Sequence, residues 1–305
     1  MLRCSNTLIG GAGICCLDHV FASERINWGE TARVQECRTQ CGGLVGTALA
    51  ACQKLGAQTR LASLVGKDNP GRQILGALQS AGINADDVRQ VESGKSPMSF
   101  VHLDSGNGER TIFHYAARGL EWNEETPAWL ANCAALLMDD YYPALALKFA
   151  KAAAELRVPV IADSWPKDKN REFLRYVTVL ISPRHFAHDN GLDYDAALTA
   201  MRQAGPQTAV LTLGATGWVA LDSQGRYEGK SFRVKAVDTL GAGDVYHGAF
   251  AFAVGRRWST PRCAEFASGV AALKCANNAG WSGLPGFEQT LNFLRAHSPN
   301  DWSPV

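Results

Sequence analysis

Short, unbroken apolar runs alternating with helical patterns recur along most of this 305-residue chain, and no other feature restricts its fold as much. Ala135–Met138, Val158–Ala162, Val177–Ile181 and Ala209–Leu213 are apolar at nearly every position. A strand with one wet face would alternate, whereas a run that never turns polar belongs in a sheet covered on both faces, which is the habit of parallel sheets. Ala144–Leu156 reads as a helix between two of these runs, and a polar helix precedes Ala209. Upstream, Leu8–Leu17 reads as a buried first strand, and Leu61–Val65 as another. Gly42-Gly43 opens a helix over Leu44–Leu55 that Gly56 stops. Asn69-Pro70 starts a second helix, with Ile74, Leu75 and Leu78 on one face and Gly82 at its end. Gly217–Leu221 returns as a hairpin arm, and two helices close the core. Val245–Val254 is apolar nearly all round; Pro261–Cys275, capped by Thr260, carries Phe266, Val270 and Leu273 at helical spacing. The expected class is α/β, with a mainly parallel central sheet between helical layers.

Two stretches, about 19–41 and 97–116, depart from that alternation. Thr31-Ala32-Arg33-Val34-Gln35 alternates in polarity, and Pro97–Tyr115 reads as strands around the turn Asp104-Ser105-Gly106-Asn107-Gly108. Together they predict a small second sheet inserted into a single domain spanning 1–305, since no repeat, low-complexity tract or linker divides the chain. Thirty Lys and Arg against 29 Asp and Glu leave a formal charge of +1, which supplies no electrostatic reason for a nucleic-acid or anionic-membrane partner. No apolar run reaches the ~18 residues of a membrane helix. The stretch after Arg3 contains Gly10, Gly11 and Gly13 and lacks a small-residue cleavage site, so a cytoplasmic protein is expected. Nine cysteines, an odd number without a C-x-x-C pair or zinc spacing, read as reduced and mostly buried thiols.

The most informative string is Asp238-Thr239-Leu240-Gly241-Ala242-Gly243-Asp244, set directly before the all-apolar helix. Gly241 and Gly243 permit a tight turn whose amides converge on an anion, and the helix N-terminus behind them adds unpaired N–H groups and a positive dipole end. That combination suits the charge on a transferring phosphoryl group. Asp244 falls in the first helical turn, where a carboxylate can take a proton from a substrate hydroxyl. Gly10-Gly11-Ala12-Gly13-Ile14-Cys15-Cys16 invites a dinucleotide-binding reading but fails it, because the sixth position counted from Gly11 is Cys16. His102, His114, His185 and His188 show no metal spacing. His114 lies on an expected strand of the small second sheet and faces either substrate or solvent. Tyr141, in Asp139-Asp140-Tyr141-Tyr142, follows a strand on the ligand-binding side of an open sheet, and a loop role stands beside a substrate role there.

The string at 238–244 resembles the C-terminal signature of the ribokinase-like (PfkB) carbohydrate kinases. The likeness covers nearly the whole chain, through an early strand ending in Asp18, the Gly42-Gly43 helix entry and the turn Thr212–Gly217. It implies a three-layer sandwich with a small β-sheet lid that often pairs subunits into a homodimer. It implies Asp244 as catalytic base, and the Gly241, Ala242, Gly243 and Asp244 amides as anion hole. Asp18, Gly42 and Gly43 would hold sugar hydroxyls, with Thr47 standing where most members carry Asn. Thr212, Gly214, Gly217, Cys275 and Asn278, with Gly241 and Gly243, would wall the ATP site. ATP brings Mg2+, and in related kinases the loops matching Asp238 and Asn278–Gly280 hold K+. Gly108-Glu109-Arg110-Thr111-Ile112 is similar to a ketohexokinase segment whose Arg reaches the site from the lid; a plain surface Arg is the alternative for Arg110. The tail Phe266–Cys275, with Gly280 and Gly283-Leu284-Pro285, resembles the sulfofructose kinase branch. The family's Asn-x-x-Glu motif is missing near Pro183–Ala187.

The expected function is therefore ATP-dependent phosphorylation of a primary hydroxyl of a sugar or sugar derivative, ketose-like and uncharged at its far end. A nucleoside kinase on the same scaffold and a catalytically silent sugar-binding regulator are the alternatives. Retention of Asp244 and the glycine turn speaks against the regulator.

Overall fold

Thirteen strands and nine α-helices form among the residues that the computed structural model describes, namely 7–24, 26, 29–104, 110–277 and 280–302. The strands are β1 Leu8–Ala12, β2 Cys16–Ser23, β3 Glu36–Gly42, β4 Gln58–Gly66, β5 Asn84–Val91, β6 Met98–Asp104, β7 Arg110–Tyr115, β8 Ala135–Asp139, β9 Val160–Asp163, β10 Val179–Pro183, β11 Thr208–Thr212, β12 Trp218–Leu221 and β13 Arg226–Gly229. The helices are α1 Leu44–Lys54, α2 Asn69–Ser80, α3 Pro143–Glu155, α4 Arg171–Leu174, α5 His185–Asp189, α6 Tyr194–Gln203, α7 Ala242–Gly255, α8 Thr260–Cys275 and α9 Phe287–His297.

Nine strands make the main sheet in the order β13-β12-β11-β10-β9-β8-β1-β4-β5, parallel except where β12 and β13 turn back on β11. Two apolar cores cover its faces, as continuous apolar strands require. Leu137, Ile161 and Ile181 face α1, α7 and α8, whereas Leu136, Val160 and Leu180 face α3 and α6. The architecture is thus the three-layer α/β sandwich, with a separate four-stranded sheet, β3-β2-β6-β7, formed by the two inserted stretches.

The structure corrects several sequence expectations. Leu8–Leu17 is two strands in two sheets: β1 ends at Ala12, and the chain crosses through Gly13-Ile14-Cys15 into β2 of the small sheet. Asp18 therefore sits within a lid strand, not at the end of a core strand. Thr31–Val34 are irregular and exposed; the strand begins only at Glu36, the residue that pairs with Ala22 on β2. The cap of α8 is Ser259 rather than Thr260. Strands β5 and β13 and helix α9 were not anticipated. The turn residues Ser105–Gly108, Asn278 and Cys4 lie outside the described residues. Of the described cysteines, Cys37 is exposed, Cys275 half-buried and the rest buried, and all are free thiols. No helix among the described residues is long and apolar enough to cross a membrane.

Candidate active site

Two helix N-termini meet at the carboxyl ends of the parallel strands because α1 and α7 cross with almost nothing between them. A Cβ at Gly248 would overlap the Ala48 carbonyl, and the Cys52 thiol donates to the Gly248 carbonyl at 3.1 Å. This backbone-to-backbone approach brings Gly43–Thr47 and Gly241–Asp244 to one pocket beneath the small sheet. Asp18, Gly42 and Thr47 line it from around the start of α1, and Asp238, Gly241 and Asp244 from around the start of α7. Both helix ends present unpaired amides and positive dipole ends, so the pocket favours an anion before any side chain is counted.

On the first side the backbone is shaped around Asp18. A Cβ at Gly42 would overlap the Asp18 carboxylate, and Gly43, at φ +81°, lies so close to Cys15 that a Cβ would stand 2.7 Å from its Cα. Asp18 is buried, and its Oδ1 accepts from the Cys16 thiol at 3.1 Å. Burial raises its carboxyl pKa, against hydrogen bonds from Cys16 and Ser99 and the proximity of His114. Strand register places Gln40, Asp18, Ser99 and His114 in one row across β3, β2, β6 and β7. In-register residues share a face of the sheet, so the whole row faces the pocket side. His114 and Tyr141 bond to each other at 2.8 Å, and the Ala117 amide donates to the Tyr141 hydroxyl at 2.9 Å. The Trp281 indole donates to Thr47 Oγ1 at 3.1 Å and lines the pocket beside it.

On the second side, Gly241 takes the left-handed conformation, φ +75°, that turns the chain into α7. Gly243 does not share this role. It lies in the first helical turn with open space where a Cβ would stand, so the tight turn expected of both glycines belongs to Gly241 alone. The Gly243 carbonyl accepts from His247 Nδ1 at 2.7 Å, which fixes that turn. Asp244 opens onto the pocket, and its carboxyl is pushed up to about 6. Loss of hydration is the main cause; Asp163 and Asp18 add repulsion, while His247 and Arg110 oppose it. The half-buried Asp163 that repels it lies with Oδ2 3.5 Å from His247 Nε2.

The lid reaches this loop through two arginines. Arg110, on β7, donates to the Thr239 hydroxyl at 3.0 Å and to its carbonyl at 3.3 Å. Arg38, on β3, pairs with Asp238 Oδ2 at 3.1 Å. The oxygens of Asp238 expected to serve a monovalent cation are already engaged, because Lys274 Nζ lies 2.8 Å from its carbonyl oxygen and 3.4 Å from Oδ2. Gly280 lines the pocket, and Cys275 contributes its carbonyl rather than its thiol, accepting from the Val237 and Asp238 amides at 2.7 and 3.1 Å.

Thr212, Gly214 and Gly217 stand apart from this pocket, at the β11–β12 turn. The Thr212 carbonyl accepts from Arg184, and the Gly217 backbone packs against Gly229. Asp139 and Asp140 have structural partners: Asp139 accepts from the Ile14 and Tyr141 amides at 2.8 and 3.0 Å, and Asp140 from Ser164, Lys167 and Asn170. Sequence reasoning missed Arg38 and Gln40, the pairing of Lys274 with Asp238, and the placement of Trp281 over Thr47. For Arg38 and Gln40 the signal was present: on a strand over 36–42, alternate residues 38, 40 and 42 share the face of Asp18.

An anion-favouring pair of helix ends, a carboxylate in the first turn of one of them and a lid above are the equipment of a phosphotransferase acting on a small hydroxylated substrate. The match of residues 8–285 to the pfkB family of carbohydrate kinases agrees with that, and the chain belongs to this family of ATP-dependent enzymes. It is 25% identical to a ribokinase of Haemophilus influenzae over 280 residues, covering 87% of this chain and 91% of the relative. A nucleoside kinase of Methanothermobacter thermautotrophicus is 24% identical over 259 residues, with 83% of this chain and 84% of the relative covered. The structure of Arabidopsis thaliana ribokinase complexed with ribose and ATP superimposes with a TM-score of 0.82 at 24% identity, covering 95% of this chain and 99% of that one, and so shares the fold.

Proposed function

We propose that this enzyme transfers the γ-phosphoryl group of ATP to a primary hydroxyl of a small neutral sugar of the ribose type. The observation that carries the reading is that Asp18 and Asp244 both line one pocket between two helix N-termini. Asp18, with Gln40 and Thr47 beside it, accepts hydrogen bonds from sugar hydroxyls and orients the reacting one. Asp244 takes its proton as the oxygen attacks phosphorus, a role that suits a carboxyl lifted to about 6, basic enough to accept a proton yet ionised at neutral pH. The amides of Gly241, Gly243 and Asp244 stabilise the charge that develops on the phosphoryl oxygens, whereas the Ala242 amide expected to join them is donated to the Thr239 carbonyl at 3.2 Å. Arg38 and Arg110 hold the lid against the 238–241 loop, which excludes water and limits wasteful ATP hydrolysis. Among the described residues no group of three His, Cys, Asp or Glu is placed to hold a metal, so Mg2+ fits as an ion carried by triphosphate oxygens and water, where it neutralises phosphate charge.

Two supports favour a neutral, ribose-type substrate. For the ribose type, the relatives include ribokinases, beside a nucleoside kinase and a ribose-1-phosphate kinase, rather than members of the ketohexokinase and sulfofructose kinase branch expected from the Arg110 segment and the tail. For neutrality, Lys274 and Arg38 are committed to Asp238 and Arg110 to Thr239, so an anionic far end of a sugar would have to draw one of them from its present partner. A ketose remains the second reading, because Arg110 does reach the 238–241 loop from the lid. The test is kcat/KM, by ADP release, for ribose, fructose, 2-keto-3-deoxygluconate, a nucleoside and sulfofructose. A preference for ribose is expected. A preference for the nucleoside refutes the sugar reading, and one for sulfofructose refutes the neutral pocket.

A further inference from the structure

Lys274 is an unusual residue to find in the last turn of a buried helix. It is 5% exposed, and a lysine stripped of water is costly unless its charge is matched. Its match is a single residue, Asp238: Nζ donates to the Asp238 carbonyl at 2.8 Å and lies 3.4 Å from Oδ2. The same carboxylate takes Arg38 on Oδ2 and the Leu240 amide on Oδ1. The carbonyl of Cys275, the next residue, receives the amides of Val237 and Asp238. The segment leading into the Gly241 turn is thus fastened to the end of α8 by one ammonium and two backbone bonds. Burial pulls the Lys274 pKa down and the Asp238 charge opposes this, as expected of an ammonium kept charged by its partner.

A monovalent metal ion at this loop would need the oxygens that Lys274 already holds. It would also be repelled, since two cations face the one carboxylate of Asp238. We propose that Lys274 is the resident cation of the 238–241 loop: a positioning residue whose ammonium does the work a bound potassium ion would do, so that the enzyme needs no monovalent metal. The kinetic part of this proposal rests on the kinase reading above. The side chain acts through Asp238 on the turn at Gly241, not on the reacting atoms.

The test compares wild type and Lys274→Met in KCl, NH4Cl and choline chloride at equal ionic strength, by turnover and by thermal melting. Wild type is expected to give the same kcat and Tm in all three salts. The variant in choline should lose about tenfold to a hundredfold in kcat, the usual effect of deleting a charge-assisted hydrogen bond. Potassium or ammonium should restore part of that loss and raise the variant's Tm, because the vacated space then admits a free cation. Several-fold activation or stabilisation of wild type by potassium overturns the proposal, and this arm needs no variant to fold. A variant equally impaired in all three salts also overturns it, as does one whose only defect is a raised KM for ATP. If no sugar is phosphorylated, the kinase reading fails, and the melting comparison still decides the role of Lys274.

Discussion

Replacing Asp244 with Asn should slow the enzyme and stabilise it at once, and the two effects can be weighed from one environment. The carboxyl is lifted from an ordinary 3.8 to about 6, chiefly because the protein around it strips away hydration. A group whose folded pKa is raised favours the native state fully below its unfolded pKa, and that advantage is lost as pH rises through the folded value. Ionised Asp244 therefore burdens the folded enzyme above pH 6 by up to about 3 kcal/mol, at ~1.36 kcal/mol per unit. Water entering from the pocket mouth screens part of this, so about 1–2 kcal/mol is expected. Asn keeps the shape and drops the charge. At pH 8 the variant's Tm should exceed the wild type's by about 2–3 °C, whereas the two should converge near pH 4. Turnover should fall at least ~10²-fold, as for loss of a general base. The wild-type kcat/KM should rise with pH through about 6, the limb on which Asp244 ionises. Melting scans from pH 4 to 8 and initial rates provide both readouts. Near-wild-type turnover removes Asp244 from the mechanism. Lost turnover with no pH-dependent gain in Tm refutes the desolvation reasoning instead.

Gly241→Ala forces a side chain into the left-handed region at a cost of about 1–2 kcal/mol, so both Tm and turnover should drop, as seen by melting and ADP release. Gly243→Ala meets no protein atom, so its Tm should hold while phosphoryl transfer weakens because the methyl stands at the approach to the helix amides; unchanged turnover would remove Gly243 from the anion hole. Arg110→Ala cuts an exposed link between lid and Thr239, and should raise uncoupled ATP hydrolysis relative to sugar phosphorylation without moving Tm. Asp139→Ala leaves the Ile14 and Tyr141 amides without their acceptor, and should cost about 2–4 kcal/mol in urea unfolding.

The elements read correctly from the chain are those whose burial leaves no choice of residue. Strands β8, β10 and β11 are apolar because helices cover both their faces, and α7 is apolar all round because α1, α8 and the sheet enclose it. The elements missed carry the opposite pattern. Strand β5, Asn-Ala-Asp-Asp-Val-Arg-Gln-Val, lies at the sheet edge and buries little beyond Val88, and β13 at the other edge is equally polar. Edge strands owe their place to a partner's backbone, which leaves no apolar signature. The division of Leu8–Leu17 was hidden because the chain stays apolar while it passes between sheets. What marks the crossing is Gly13, where a Cβ would stand 2.6 Å from Asp139 Oδ2. The 238–244 turn was legible from its own residues, glycines and an Asp set before an apolar helix, whereas Asp18 and Gly42 entered as site residues only through the family resemblance. Lys274 and Trp281 were not legible, since their partners Asp238 and Thr47 are distant in sequence and only the packing of α8 and its following loop unites them.

The central claim is transfer to a primary sugar hydroxyl, and the proton-coupled phosphorus NMR spectrum of the product of ribose and ATP tests it directly. A phosphate ester on a primary carbon couples to two protons and gives a triplet, which should grow in step with ADP and be absent with Asp244→Asn. A doublet from an ester on a carbon bearing one proton, or ADP formed with no new ester from any sugar offered, would contradict the account.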